Sequence, residues 1–421
     1  MKVLKKYIFS LLFIVAVVIV EKENNIFSKV LDKLSPKSTP QSSLQIKGRY
    51  LASPELEVNL KAKLPLKNVG QPSEVRKHVL IFATTRSGSS FVGEIFNQHG
   101  NDMFYLFEPL WNMQQRLTLE NERIDIVSGE VLSKAYRDAL HQLFLCNFSM
   151  LDSFEAPQKG RVKMTLFRPE SSQSLCSYPA CTPFVTESDG SYKCHNQNCG
   201  PLDIRIASQV CLQKKYHAIK SVRIERLETL RSLTEDPRLD LKVIHLVRDP
   251  RAILASRMMT FAQDDEEWQK MTEDGDITEY DNKIGGLRAQ CESIRMAAEV
   301  GLKRPLWLNG RYMLVRFEDI ALFPMRKAAE MYQFTGIPFS DQVKEWLLHN
   351  TQTPDNKDGM YSTKRNSSQQ AEKWRFSIPL THVKMVQKVC GPTMKLLGYR
   401  FIESKEMLID KSVSLIEDRV F

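Results

Sequence analysis

Short, almost unbroken apolar runs recur in the later part of the chain: "HVLIFATT" (78–85), "MFYLF" (103–107), "HAIKSV" (217–222), "LKVIHLV" (241–247) and "RYMLVRF" (311–317). Each is of strand length, and the near-continuous apolar character predicts strands covered on both faces. Several lead into stretches with helical spacing, such as "AILASRMMTF" (252–261) and "FPMRKAAEMYQFTG" (323–336), the latter closed by a glycine stop signal. Strands alternating with helices predict an α/β domain built on a central, mainly parallel sheet flanked by helices. No internal repeat interrupts the pattern. Residues 263–282, dense in Asp and Glu, read as a solvated loop or surface helix.

Before residue 76 the pattern is different. Lys2, Lys5 and Lys6 precede the uncharged apolar run Tyr7 to Val20, and charged "EKEN" follows it. Fourteen helical residues span about 21 Å, short of the roughly 30 Å of a hydrocarbon core, a mismatch that snorkelling lysines and a thin membrane accommodate. No small-x-small cleavage site follows, which disfavours a cleaved signal peptide. The expectation is therefore a type II signal anchor: 1–6 cytosolic, 7–20 spanning, 21–75 a Lys-, Ser- and Pro-rich stem, and 76–421 a lumenal catalytic domain. Self-association is open to the anchor and the stem.

The eight cysteines fit an oxidising lumen. Five of them crowd between Cys176 and Cys211, which predicts a locally stapled loop region; zinc, with His195 nearby, is the lesser alternative because the four-residue gaps exceed those of zinc ribbons. Asn147 and Asn366 stand in glycosylation sequons. A net charge of +9 over 421 residues favours polyanionic partners without selecting one.

The chemistry concentrates where two apolar runs end. After the first comes Thr84-Thr85-Arg86-Ser87-Gly88-Ser89-Ser90, and a helix-compatible stretch follows at once. A strand turning sharply into a helix presents free N–H groups and the positive end of the helix dipole, which together form an anion site. Gly88 permits close approach, the serines add hydroxyls, and Arg86 adds charge. It is no Walker A loop: Ala83 stands at the first glycine position and Ser89 at the lysine. The second run ends in Arg248-Asp249-Pro250-Arg251, with Pro250 suited to open a helix and Ser256 eight residues after Arg248. Two such junctions on one sheet suit a nucleotide carrying phosphate at both its 3′ and 5′ ends.

"TTRSGSS" followed by "LVRDPRAILASR" resembles the two cofactor signatures of carbohydrate sulfotransferases, within them the Golgi galactose/N-acetylgalactosamine 6-O-sulfotransferases. Flanking stretches such as "VGEIFNQHG", "FYLFEPLWNM" and "GRYMLVRFED" extend the resemblance from about His78 to the C-terminus. It implies a single sulfotransferase-type domain, P-loop-like in plan, that uses 3′-phosphoadenosine 5′-phosphosulfate and no metal. Thr84 to Ser90 would hold the 5′-phosphosulfate, and Arg248 to Arg251 with Ser256 the 3′-phosphate. Lys364 and Arg365 would add a late basic loop. The implied acceptor is the 6-hydroxyl of N-acetylgalactosamine in chondroitin, or of galactose in keratan, at the Golgi membrane and with no role for nucleic acid.

Cytosolic sulfotransferases carry lysine where Arg86 stands, so Arg86 is cast as an electrostatic stabiliser that does not readily give up its proton. Two carboxylates compete as general base. Glu108 ends a strand-like run and is preferred; Glu94 lies on the helix after the cradle. His99 and His245 are further bases to consider, His245 reading better as core. Arg168, Lys220, Arg223 and Arg257 are candidates for holding acceptor carboxylates. A lumenal nucleotide kinase and a non-catalytic glycosaminoglycan binder remain as alternatives.

Overall fold

The computed structural model describes residues 76–111, 129–149, 171–181, 203–261, 281–352 and 366–421. All belong to the unit Gln71–Phe421. The expected anchor and stem, most of the acidic block, Cys194, Cys199, Arg168, Lys364 and Arg365 lie outside them. Among the described residues no helix is long and apolar enough to cross a membrane.

The five apolar runs form five strands: β1 (Lys77–Ala83), β2 (Met103–Phe107), β3 (Tyr216–Ser221), β4 (Asp240–Val247) and β5 (Tyr312–Arg316). Every pairing is parallel, in the order β2-β3-β1-β4-β5. Helices pack around the sheet, ten of which matter below. In chain order they are α1 (Ser89–Asn97), α2 (Gly129–Phe144), α3 (Ile204–Gln213), α4 (Pro250–Thr260) and α5 (Asp281–Leu302). They continue with α6 (Phe317–Leu322), α7 (Pro324–Thr335), α8 (Asp341–Thr351), α9 (Ser367–Glu372) and α10 (Leu380–Leu397). Gly336, at φ 69°, ends α7 as its stop signal predicts.

Both faces of the sheet are covered because successive side chains of a strand point to opposite sides. From β1, Leu80 and Phe82 pack with α2 and α3, while Val79, Ile81 and Ala83 pack with α1, α7 and α8. A third cluster joins α4, α5 and α10 beside β4 and β5. Each fully buried aliphatic side chain contributes about 1.5–3 kcal/mol, so the continuous runs anchor the sheet. The order places β1 between β3 and β4, where the winding reverses, and ligands of such sheets sit at the carboxyl ends of the strands there.

The C-terminal segment is bound back onto this body by two buried guanidinium groups. Arg375, just after α9, donates to the carbonyls of Leu408 (2.7 Å), Met407 (3.2 Å), Val413 (3.2 Å) and Asp410, and to the Glu372 carboxylate (2.9 Å). Arg316 donates to the carbonyls of Leu397 (3.1 Å) and Glu417 (3.0 Å) and pairs with Asp319 at 2.8 Å.

The cysteine expectation needs correction. Cys211 does not staple the local loop; it bonds Cys146, 65 residues away, and a second disulfide joins Cys291 of α5 to Cys390 of α10. In the chain-entropy picture a loop of that first length is worth about 4 kcal/mol. Cys176 and Cys181 are disulfide-bonded as well. Buried His217 lies beside Cys146 and Cys211, but their sulfurs are bonded to each other, so the cluster is no metal cage.

Candidate active site

The first junction is a closed turn with its donors left outward. Both the backbone N–H and the hydroxyl of Ser87 donate to the Thr84 carbonyl, at 3.3 and 2.7 Å. Arg86 (φ 68°) and Gly88 (φ 87°) adopt left-handed backbone, a strained state for arginine of the kind that persists at functional sites. Gly88 is also sterically required: a Cβ there would lie 2.2 Å from Cδ2 of Phe317. Gly88 caps α1 without any side-chain hydrogen bond, leaving the first N–H groups of α1 for another acceptor.

The second junction meets the first directly. Arg86 Nε donates to Ser256 Oγ at 3.0 Å, and Arg248 Nη1 donates to the Arg86 carbonyl at 2.9 Å. Phe317 lies under both, since the Arg248 guanidinium sits 4.6 Å from its ring centroid. Arg248 Nε is buried with no hydrogen-bond partner. Two motifs 162 residues apart therefore build one wall. Ser256 was expected to serve a phosphate beside Arg248; here it receives Arg86.

A cavity of about 650 Å³ opens at this wall, within the range of small-molecule sites. Residues just beyond the carboxyl end of every strand line it: Arg86 after β1, Glu108 after β2, Arg223 after β3, Arg248 after β4 and Phe317 after β5. Thr85, Gly88, Ser89, Ser90 and Ser256 line it too. Glu108 holds left-handed backbone (φ 46°), and its N–H donates to the Lys220 carbonyl at 2.9 Å. Its carboxylate accepts a close hydrogen bond from Lys220 Nζ, while Arg223 Nη2 stands 4.0 Å away. Lys220 is almost sealed from solvent, with its ammonium 4.3 Å from the Phe107 ring. Five cations, Arg86, Lys220, Arg223, Arg248 and Lys373, face one carboxylate, Glu108, among the described lining residues.

Several expected site residues take other positions. Glu94 does not line the cavity. Its carboxylate accepts from Asn97 Nδ2 at 3.1 Å and from Gln98 Nε2, and burial raises its pKa, so it braces α1 and does not reach a substrate. Asp249, Pro250 and Arg251 also turn away. Asp249 caps α4 through the Arg251 N–H (2.9 Å), Pro250 opens that helix, and Arg251 is fully buried. The Arg251 guanidinium pairs with Asp249 at 2.6 Å and donates to Gln387 Oε1 and the Arg400 carbonyl, both at 2.9 Å. Thr84 and Ser87 are not among the lining residues. Arg257 is not among the lining residues. His245 is buried against the Tyr312 hydroxyl (2.7 Å), and His99 stacks on Tyr332, so neither lines the cavity. Asn147 is exposed, and half-buried Asn366 caps α9 by accepting from the Gln369 N–H at 3.2 Å.

Sequence reasoning missed Glu318, Phe317, Trp111, Lys373 and Trp374. Glu318 lies behind Arg248, accepting from the Asp249 N–H (3.0 Å) and the Tyr399 hydroxyl (2.9 Å). Burial, then the neighbouring Asp249, pushes its carboxyl up to about 7. An acidic residue directly after an apolar strand was the one available signal, and the same signal had singled out Glu108.

The chain belongs to the sulfotransferase family: residues 76–398 match the family model described as a sulfotransferase domain. Within that class it is similar to carbohydrate sulfotransferase 3 of Mus musculus, 44% identical over 453 aligned residues that cover 100% of this chain and 95% of the relative. It is also similar to carbohydrate sulfotransferase 1 of Mus musculus, 41% identical over 355 residues covering 82% and 85%. The solved mouse sulfotransferase SULT7A1 complexed with PAP aligns over 76% of this chain and 84% of that one, at 10% identity and a TM-score of 0.35, a likeness too distant to inform the site.

Proposed function

We propose that this protein is a Golgi carbohydrate sulfotransferase that sulfates the 6-hydroxyl of N-acetylgalactosamine in chondroitin. One observation carries the reading: Arg86 and Arg248, from separate strand-to-helix junctions, touch in one cavity whose other described lining residues include a single carboxylate, Glu108. The fit to 3′-phosphoadenosine 5′-phosphosulfate rests on three features. The Gly88 turn has no room for a Cβ, Arg248 Nε is buried and unsatisfied, and the cationic excess suits a multiply charged nucleotide. When bound, that donor supplies an activated sulfuryl group.

The chain's own residues supply positioning and charge. Arg86 and the free N–H groups of α1 stabilise negative charge on the departing side. Arg248 would hold the nucleotide's second phosphate. Glu108 accepts the proton of the acceptor hydroxyl, and Lys220 fixes that carboxylate in place. Because Arg86 is anchored on Ser256, no large movement is required to present it.

The same proposal includes type II topology, with the anchor at 7–20, the stem at 21–75 and the catalytic domain from 76 in the lumen, and self-association through anchor or stem. The lysine flank, the apolar run and the disulfides support it. Lumenal exposure would also open Asn147 and Asn366 to glycosylation, with the Ser149 hydroxyl already donating to Asn147 Oδ1 at 2.6 Å. The test supplies the full chain with radiolabelled donor and either desulfated chondroitin or desulfated keratan, then digests the products to disaccharides. Label at C6 of N-acetylgalactosamine is expected. Label only on galactose would move the acceptor to keratan, and label at C6 of neither sugar would end the reading.

A further inference from the structure

Four cations of the cavity have tasks in the reading above or close contacts, but Arg223 stands apart. Arg86 and Arg248 belong to the donor wall, Lys220 is bound to Glu108, and Lys373 follows α9. Arg223 sits just beyond β3, on the β2–β3 side of the sheet, whereas the donor wall follows β1 and β4. Its backbone N–H donates to Ser221 Oγ at 3.2 Å, which fixes where the side chain starts. Its Nε is buried without a hydrogen-bond partner, and its one ion-pair contact among the described residues is a long one, Nη2 to Glu108 Oε2 at 4.0 Å, on a carboxylate whose other oxygen is bound by Lys220. A guanidinium held this way lacks the planar, two-pronged acceptor that it binds best, which is a carboxylate.

We infer that Arg223 receives the uronic-acid carboxylate of the acceptor chain, beside the carboxylate that takes the hydroxyl proton, and so selects uronate-containing polysaccharides over neutral ones. The inference rests on the acceptor reading above. Chondroitin carries a carboxylate on every other sugar, whereas an unsulfated keratan backbone carries none. One charged contact next to Glu108 would therefore distinguish two acceptors that differ little at the reacting hydroxyl. Arginine suits this place better than lysine because a guanidinium offers a carboxylate paired in-plane donors, whereas lysine offers only a point charge.

The experiment crosses a change in the enzyme with a change in the substrate. Full-chain wild type and Arg223→Gln are each assayed with desulfated chondroitin and with the same polymer after chemical reduction of its carboxylates to alcohols. Wild type is expected to favour the native polymer in kcat/KM by on the order of tenfold, chiefly through KM, as one charge-assisted contact supplies. Arg223→Gln should lose that preference, and Arg223→Lys should keep part of it. Equal use of both polymers by wild type would overturn the proposal even if Arg223→Gln failed to fold. A uniform fall of Arg223→Gln on both polymers would overturn it too, because Arg223 would then act through Glu108. Absence of transfer by wild type to either polymer would instead defeat the sulfotransferase reading itself, and this proposal with it.

Discussion

The two strand-to-helix junctions look alike in sequence and do opposite things with their polar groups. After β1, the helix cap is a glycine without a side chain, the turn closes on itself through Ser87, and Arg86 is directed at the cavity. After β4, the cap is Asp249, and it is already satisfied by the chain: Arg251 N–H and guanidinium both bind it. The first junction thus leaves its donors to an anion from outside the chain, and the second contains its own anion. Only Arg248, which precedes the cap, is left to face outward. An "RDPR" motif on one strand end can be half cavity lining and half core, with the division falling between Arg248 and Asp249.

Substitutions that treat the junctions alike should give unlike results. Arg86→Ala should lower kcat by about 10²–10³, the cost of removing one preorganised charge-stabilising donor, with thermal stability little changed. Arg251→Ala should do the reverse. It strands the buried Asp249 carboxylate and should cost about 3–5 kcal/mol of stability, read by denaturant melts. Equal losses of stability in the two variants would erase the contrast. Gly88→Ala imposes a left-handed alanine whose Cβ meets Phe317, about 1–3 kcal/mol of strain, and should raise the KM for the sulfate donor more than that for the acceptor.

The smallest effect concerns what lies behind the second junction. Glu318 titrates near pH 7 in the folded protein, against a usual 4.5, because burial and then Asp249 disfavour its charge. The native state therefore holds that proton more tightly than the unfolded chain does. Stability from this group is full below about pH 4.5 and is lost as pH rises through about 7. Glu318→Gln removes that slope, so its thermal midpoint relative to wild type should improve between pH 5 and pH 7.5. A constant difference across that interval would show that Glu318 does not titrate there.

The sheet was legible because buried parallel strands need unbroken apolar runs, and the five runs are the five strands. Both junctions were legible for a related reason: polar residues crowded at the end of such a run have few other uses. What escaped depends on distance along the chain. Nothing near Arg251 announces Gln387 and Arg400, which receive its guanidinium in the core. Glu94 and Glu108 are told apart by where their carboxylates lead, to Asn97 and Gln98 in one case and to the cavity in the other. The crowding of cysteines suggested local bridges, yet Cys211 reaches Cys146 because α3 packs beside the end of α2 in the same core cluster.

Arg375 gathers four carbonyl groups from residues 407–413, and its neighbour Trp374 is part of the cavity wall. Residues 407–413 are therefore a clasp on the cavity wall. Shortening the chain before Leu408 would strip the buried guanidinium of three of its four carbonyl acceptors, and the wall carrying Trp374 would lose its backing. Affinity handles for purification belong at the other terminus, and a frameshift in the last coding stretch would be expected to behave like damage to the pocket itself.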